Sequence, residues 1–239
     1  MKTAVIIPTY NESDNIVALV EEILGLGVVS HIIIVDDNSP DGTGQLAEEL
    51  AKQHQEVHVI HRPGKLGLGT AYIAGFKLAL TLPADRIMTM DADFSHQPGY
   101  IPSLIAQTRV CDLSIGSRYV DGGGTINCNL WRRFLSRMGN TVARLALGLK
   151  AADCTAGFRC YRRQVLEAID LDSILSSGYS FLVEMLYRCQ KSGYRVGEVP
   201  IVFENRRQGT SKISQREIWK AACTVLRLGW ERLVGSPRS

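Results

Sequence analysis

No stretch of this 239-residue chain approaches the ~20 uncharged apolar residues that cross a bilayer as a helix. The first residues, Met1 to Pro8, are too short a run, too soon broken by proline, to act as a signal peptide. The six cysteines (111, 128, 154, 160, 189, 223) never form a C-x-x-C pair, which argues against a zinc site or a disulfide framework. Core thiols in a reducing, cytosolic setting are expected instead. No G-x-G-x-x-G follows the first β-rich run, so a dinucleotide turn is missing. Gly64-Lys65-Leu66-Gly67-Leu68-Gly69 lacks the order of a P-loop. Aromatic residues are only 7% of the chain, too sparse for the stacking surfaces of a nucleic-acid-binding module. Nucleic acid is therefore not an expected partner.

Charge is present but unevenly placed. Residues 1–129 carry 8 Lys+Arg against 15 Asp+Glu, and residues 130–239 carry 19 against 9. A net charge of +3 thus hides an acidic half followed by a basic one. The basic half suits an anionic partner such as phosphate or a membrane surface; two solvated faces of opposite sign are the other reading.

The first 120 residues alternate β-type runs with helical spacing. Strands are expected at Thr3–Ile7, Ile32–Val35, Val57–Ile60, Ile87–Met90 and Leu113–Ile115. Helices are expected from about Ile16, from Thr43 as N-cap, and over Thr70–Leu80. This rhythm predicts an α/β fold, a mostly parallel central sheet with helices on both faces. Gly122-Gly123-Gly124 reads as a flexible break. Helices over Trp131–Leu147 and Tyr179–Cys189, a strand over Val196–Phe203 and a polar loop over Asn205–Ser211 follow. The last helix, from about Ser214 to Leu233, gathers Trp219, Ala222, Leu226, Trp230 and Leu233 on one face. That face either docks on the domain or lies on a membrane surface. The expected division is a catalytic domain over 1–213 and an amphipathic helix over 214–239.

Ligands in such sheets bind beyond the carboxyl ends of the strands. Met90-Asp91-Ala92-Asp93-Phe94-Ser95 ends the fourth strand, and residues two apart point the same way. Two close carboxylates repel unless a cation sits between them, and a hard divalent ion that also bridges phosphates meets that need. Val35 to Thr43 follows the second strand, where acids hydrogen-bond a nucleoside or simply build a turn. Pro8-Thr9-Tyr10-Asn11-Glu12 follows the first, with Tyr10 as a stacking surface and Glu12 as an acceptor.

These segments, with Gly67-Leu68-Gly69, Gly116-Ser117-Arg118-Tyr119, Thr155-Ala156-Gly157-Phe158-Arg159 and Glu198-Val199-Pro200-Ile201, run in order over nearly the whole chain. In that pattern the sequence resembles the family 2 glycosyltransferases of GT-A fold. The Trp131-Arg132-Arg133 helix and the Arg206…Ser211-Lys212 ending narrow the resemblance to the dolichol-phosphate (polyprenyl-monophosphate) mannose synthases.

The resemblance implies an enzyme, a metal-dependent dolichyl-phosphate β-D-mannosyltransferase. It would move mannose from GDP-mannose to dolichyl or polyprenyl phosphate with inversion, releasing GDP. It places Pro8, Tyr10, Glu12, Val35 and Asp37 at the sugar nucleotide, and Asp91, Ala92 and Asp93 at the diphosphate. Mg²⁺ or Mn²⁺ would sit on Asp91 and Asp93, with Ser95 where some members carry glutamine. Arg118, Arg132, Arg206 and Lys212 would handle phosphates. Relatives commonly carry membrane-spanning helices after the catalytic domain. Here the implied contact is peripheral, on the cytosolic face of a membrane, or made through a separate membrane-anchoring subunit. A glucosyltransferase using UDP-glucose is the nearest rival. A phosphohydrolase with Asp91 as nucleophile is the rival of another class, since Asp91-Ala92-Asp93-Phe94-Ser95 fits D-x-D-x-[ST].

Overall fold

Ile32-Ile33-Ile34-Val35 is wholly buried, as a strand covered on both faces must be. It forms the heart of β2 (His31–Asp36), which lies parallel between β1 (Thr3–Thr9) and β3 (Val57–His61). Side chains alternate across the sheet. Ile33 and Val35 join one apolar core with Ile6, while Ile32 and Ile34 join another with Val5 and Ile7. A computed structural model describes residues 1–128, 130–204 and 215–234, with the backbone alone at Arg132, Tyr179, 215–218 and Leu233.

Helices α1 (Ile16–Gly25), α2 (Thr43–Gln53) and α4 (Ile101–Gln107) cover the second core. Helices α3 (Leu68–Thr81), α5 (Leu130–Leu147), α6 (Arg163–Ala168), α7 (Tyr179–Lys191) and α8 (Gln215–Val234) cover the first. The α/β architecture with helices on both faces is as the sequence predicts. Strands β4 (Arg86–Thr89), β5 (Leu113–Ser117), β7 (Arg159–Arg162) and β8 (Val196–Pro200) complete a seven-stranded sheet in the order β3-β2-β1-β4-β7-β5-β8. Chain order reverses between β1 and β4, so a crevice opens beyond their carboxyl ends.

Several details differ from expectation. β7 is a strand that the periodicity does not predict, and it runs antiparallel between β4 and β5. The expected single strand over Val196–Phe203 is two, because β9 (Val202–Glu204) leaves the large sheet to pair with β6 (Gly124–Ile126). The glycine run is no loose break: a Cβ on Gly123 would lie 2.6 Å from the Ser117 carbonyl oxygen, so glycine is required by close packing. Thr43 opens α2 rather than capping it. Gly42, at φ 91°, holds the cap position, and the Asp41 carboxylate accepts from the Thr43 amide and hydroxyl.

The last helix docks by the face not expected to dock. Thr224 and Leu228 are buried and Arg227 reaches inward, whereas Trp219, Leu226 and Trp230 are 72, 73 and 69% exposed. Among the described residues no helix is long and apolar enough to cross a membrane. All six cysteines are free, and Cys111, Cys154, Cys160 and Cys189 are buried.

Candidate active site

The turns after β1 and β2 are stitched together. Asn11, at φ 60°, presents its amide to the Ser39 hydroxyl, Glu12 gives its amide to Thr43 Oγ1, and Ser13 gives its amide to Asp41. Burial alone would raise the Asp41 carboxyl, but hydrogen bonds from Thr43 and Ser13 hold it at about 2. Of the two adjacent acids, Asp36 is structural: it accepts from Thr9 and from the Ser39 amide and hydroxyl. Asp37 instead faces Arg62, whose Nη1 lies 3.0 Å from Oδ1 without the alignment of a hydrogen bond. Burial pushes the Asp37 carboxyl upward, against the opposing pull of Arg62 and the amides of Gly67 and Leu66. Pro8 and Val35 are register partners on the neighbouring strands that lead into these turns. Tyr10 projects beyond β1, with Lys65 Nζ 3.9 Å from its ring centroid.

Arg62 and Lys65 are not among the site residues expected from the sequence. The signal was available, because both follow β3 at the same carboxyl edge. Arg62 is tied down by Thr70 Oγ1 at 2.6 Å and Gly67 O at 3.4 Å, which braces the loop into α3.

Beyond β4, Asp91 borders a cavity of about 330 Å³ shared with His96, Arg118, Thr155, Gly157, Arg133 and Arg137. Asp91 Oδ1 accepts from the buried Tyr72 hydroxyl at 3.3 Å, and burial raises that phenol well above its usual range. Gly157 is close-set here: a Cβ would lie 3.5 Å from Asp91 Oδ1 and 3.4 Å from Tyr72 Oη. Asp93 is oriented by Ser95, whose amide and hydroxyl both donate to Oδ1. Ser95 is itself buried, so any direct ligation by its hydroxyl would compete with that bond. Ala92, between the two acids, packs into the core. Among the described residues no group of three or more His, Cys, Asp or Glu side chains gathers to hold a metal. Two carboxylates on a strand end nevertheless suit a hard divalent cation that takes its remaining ligands from water and phosphate oxygens.

Arg118 Nε and Nη2 donate to the two oxygens of the fully buried Asp153 at 2.7 and 2.8 Å, and Nη2 also donates to Thr155. This fork holds the guanidinium rigid against the cavity. Asn140 of α5 bridges to the same loop through Thr155 Oγ1 and the Cys154 amide. Beneath it, Arg159 is fully buried, and among the described residues no carboxylate pairs with it. It donates to the carbonyls of Ala156, Leu182 and Cys154. The Arg132 side chain, Arg206, Lys212 and the polar loop around them lie outside the described residues. Arg133 and Arg137, one and five residues after Arg132 on α5, line the cavity.

A family model described as glycosyl transferase family 2 matches residues 4–170. The chain belongs to glycosyl transferase family 2. It is 44% identical over 237 residues to an undecaprenyl-phosphate mannosyltransferase of Micrococcus luteus, covering 98% of each chain. It is 46% identical over 231 residues to a polyprenol monophosphomannose synthase of Mycolicibacterium smegmatis, covering 95% of this chain and 87% of that one. Among solved structures, glucosyl-3-phosphoglycerate synthase of Mycobacterium tuberculosis, crystallised with Mn²⁺, UDP and glucosyl-3-phosphoglycerate, superposes with a TM-score of 0.70 at 18% identity. The match covers all of this chain and 81% of that one. Mannosyl-3-phosphoglycerate synthase of Rubrobacter xylanophilus gives 0.66 at 16%, covering 100% and 77%. These likenesses establish the GT-A-like fold. In this family 2 chain, the crevice between β1 and β4 therefore carries both stitched turns on one side and the Asp91 cavity on the other.

Proposed function

We propose that this chain transfers a mannosyl group from GDP-mannose to a polyprenyl phosphate on a membrane surface, with inversion at the sugar C1. The observation that carries the reading is the cavity itself. It joins Asp91 to Arg118, Arg133 and Arg137, and α5 turns an exposed apolar face outward through Trp131, Phe134, Met138, Val142 and Leu145. An anionic head and a long apolar tail find matching surfaces there. The names of the two near-full-length relatives support mannose and a polyprenyl phosphate.

An acceptor phosphate is largely dianionic at neutral pH, its second pKa being ~6, so no strong general base is needed. What remains is to bring two anions together. Arg118 directs its fork to Asp153 and Thr155 and so fixes the cavity wall, while Arg133 and Arg137 bring positive charge along α5 for the phosphate oxygens. Tyr10, Lys65, Asp37 and Arg62 surround the space for the nucleoside. Glu12 accepts from Asn15 beside that turn. Asp91 and Asp93 would hold Mg²⁺ or Mn²⁺, which when bound supplies Lewis-acid stabilisation of the departing diphosphate. In this reading Arg132, Arg206 and Lys212 add further phosphate contacts, and the chain works peripherally on the cytosolic face, alone or beside a membrane-anchoring subunit.

The test is transfer to a short polyprenyl phosphate with radiolabelled GDP-mannose, UDP-glucose and UDP-GlcNAc, each with Mg²⁺ or Mn²⁺. Mannolipid with a β linkage by NMR is expected. Glucolipid formation, or release of free phosphate without sugar transfer, would replace the reading.

A further inference from the structure

His96 lies just past the acidic pair and has no part in the roles above. Its ring is 2% exposed, stacked on Phe158 at 5.1 Å between centroids and met edge-on by Phe203 at 5.7 Å. The Asp91 amide donates to His96 Nδ1 at 3.0 Å. A nitrogen that accepts an N–H carries a lone pair, so the ring proton sits on Nε2. Among the described residues nothing accepts from Nε2, while the ring lines the cavity next to Asp91, Arg118 and Gly157. Gly157 lies alongside: a Cβ there would stand 3.5 Å from His96 Cε1, in ordinary contact.

The geometry points to His96 as a donor that contacts ligand: Nε2–H hydrogen-bonds a phosphate oxygen of the group bound against Asp91. The chemistry of the pocket selects this class of partner. An N–H on the cavity wall with no acceptor among the described residues is open to a ligand oxygen, and Arg133 and Arg137 on the same cavity suit an anionic phosphate rather than an uncharged group. A donor already oriented by a backbone amide and two aromatic rings loses little freedom when the oxygen arrives. The inference rests on the reading that this cavity handles phosphates. Two sources share that chemistry, the departing nucleoside diphosphate and the acceptor phosphate.

Two substitutions separate a ligand contact from a merely local brace. His96→Asn keeps an acceptor near Nδ1 and removes the Nε2 donor; His96→Gln reaches a donor toward the Nε2 position and removes the Nδ1 acceptor. We expect His96→Asn to raise the GDP dissociation constant, measured with Mn²⁺, or the KM for a short polyprenyl phosphate by about ten- to a hundred-fold, the range for a hydrogen bond to a charged group. His96→Gln should recover part of that loss. A change in GDP affinity assigns the bond to the diphosphate; a change in acceptor KM alone assigns it to the acceptor. In the unaltered chain, the ¹⁵N–¹H signal of His96 Nε2 should shift on adding pyrophosphate with Mg²⁺ or the short polyprenyl phosphate. The inference is overturned if that signal stays still with both, or if His96→Asn binds like the unaltered chain while His96→Gln loses affinity. Wild-type failure to transfer mannose would overturn the proposed function alone, because the pyrophosphate titration still reads His96.

Discussion

Arg227 of α8 donates through Nη2 to Oε2 of Glu184, a carboxylate of α7 with no exposed surface. Ser176 and Arg188 complete its partners. Burial alone would raise the Glu184 carboxyl, but those hydrogen bonds and cations hold it below its ordinary 4.5. The last helix is thus fastened by its charged face, and its tryptophans are left outside.

Replacing Arg227 by methionine should cost roughly 1–3 kcal/mol, a fall of several degrees in Tm, since one charged bond to a buried carboxylate is lost and Arg188 remains. The folded state lowers the Glu184 pKa, so its contribution is present above about 4.5 and fades as pH falls through the lower folded value. Denaturant melts at pH 7 and at acid pH should therefore show the gap between wild type and Arg227→Met narrowing in acid. A gap that widens would contradict the assignment.

Asp93→Asn should leave the fold intact and reduce transfer by at least about 100-fold, because a Lewis acid contributes several kcal/mol and each 1.36 is ten-fold. Ser95 would still donate to the new carbonyl oxygen, so the loop should hold. Calorimetry of GDP with Mn²⁺ and a thermal melt check the two halves of this statement. Turnover close to wild type with either Mg²⁺ or Mn²⁺ would sink the metal assignment.

Gly75 of α3 crosses β1 so closely that a Cβ would stand 2.4 Å from Ile6 Cγ2. Alanine is the better helix former by about 1 kcal/mol, yet the overlap falls on a fully buried strand residue. Overpacking should win, and Gly75→Ala is expected to destabilise by about 1–3 kcal/mol. A midpoint in urea equal to or above wild type would show that the helix backs away freely.

The outward faces of α5 and α8 make a prediction about lipid. Trp131 and Phe134 on one helix and Trp219, Leu226 and Trp230 on the other are exposed, and α5 packs against α8. Residues 205–239 carry 8 Lys+Arg against 2 Asp+Glu; Arg227 is taken up by Glu184, and each basic residue that reaches anionic headgroups is worth roughly 1 kcal/mol. The chain should sediment with anionic liposomes and be released by high salt. Trp131→Ser with Trp230→Ser should weaken that binding and slow transfer to a long-chain acceptor far more than to a short, water-soluble one. Equal losses on both acceptors would assign these tryptophans to folding.

Much of the site was legible locally. The carboxyl edge of a buried parallel strand is where chain direction and side-chain alternation deliver polar residues together, so Asp91, Asp93, Asp37 and Tyr10 stood out from their position after apolar runs. Arg62 and Lys65 at the same edge are harder to read because β3 is short and half exposed, a weaker marker than the Ile32–Val35 run.

Periodicity and turn chemistry, which act over a few residues, were enough for the α/β class, the element types and the acidic pair. What lay beyond them depends on contacts distant in sequence. β7 is antiparallel because it must close the gap between β4 and β5, and nothing within Arg159–Arg162 states its direction. The Arg118–Asp153 fork joins residues 35 apart, and the Asp91–His96 contact depends on rings from Phe158 and Phe203 to hold the imidazole. The helical wheel of α8 shows an apolar face and a charged one. Only the buried carboxylate of Glu184, waiting on another helix, decides that the charged face turns inward, because a buried carboxylate needs a cation more than the core needs two further tryptophans.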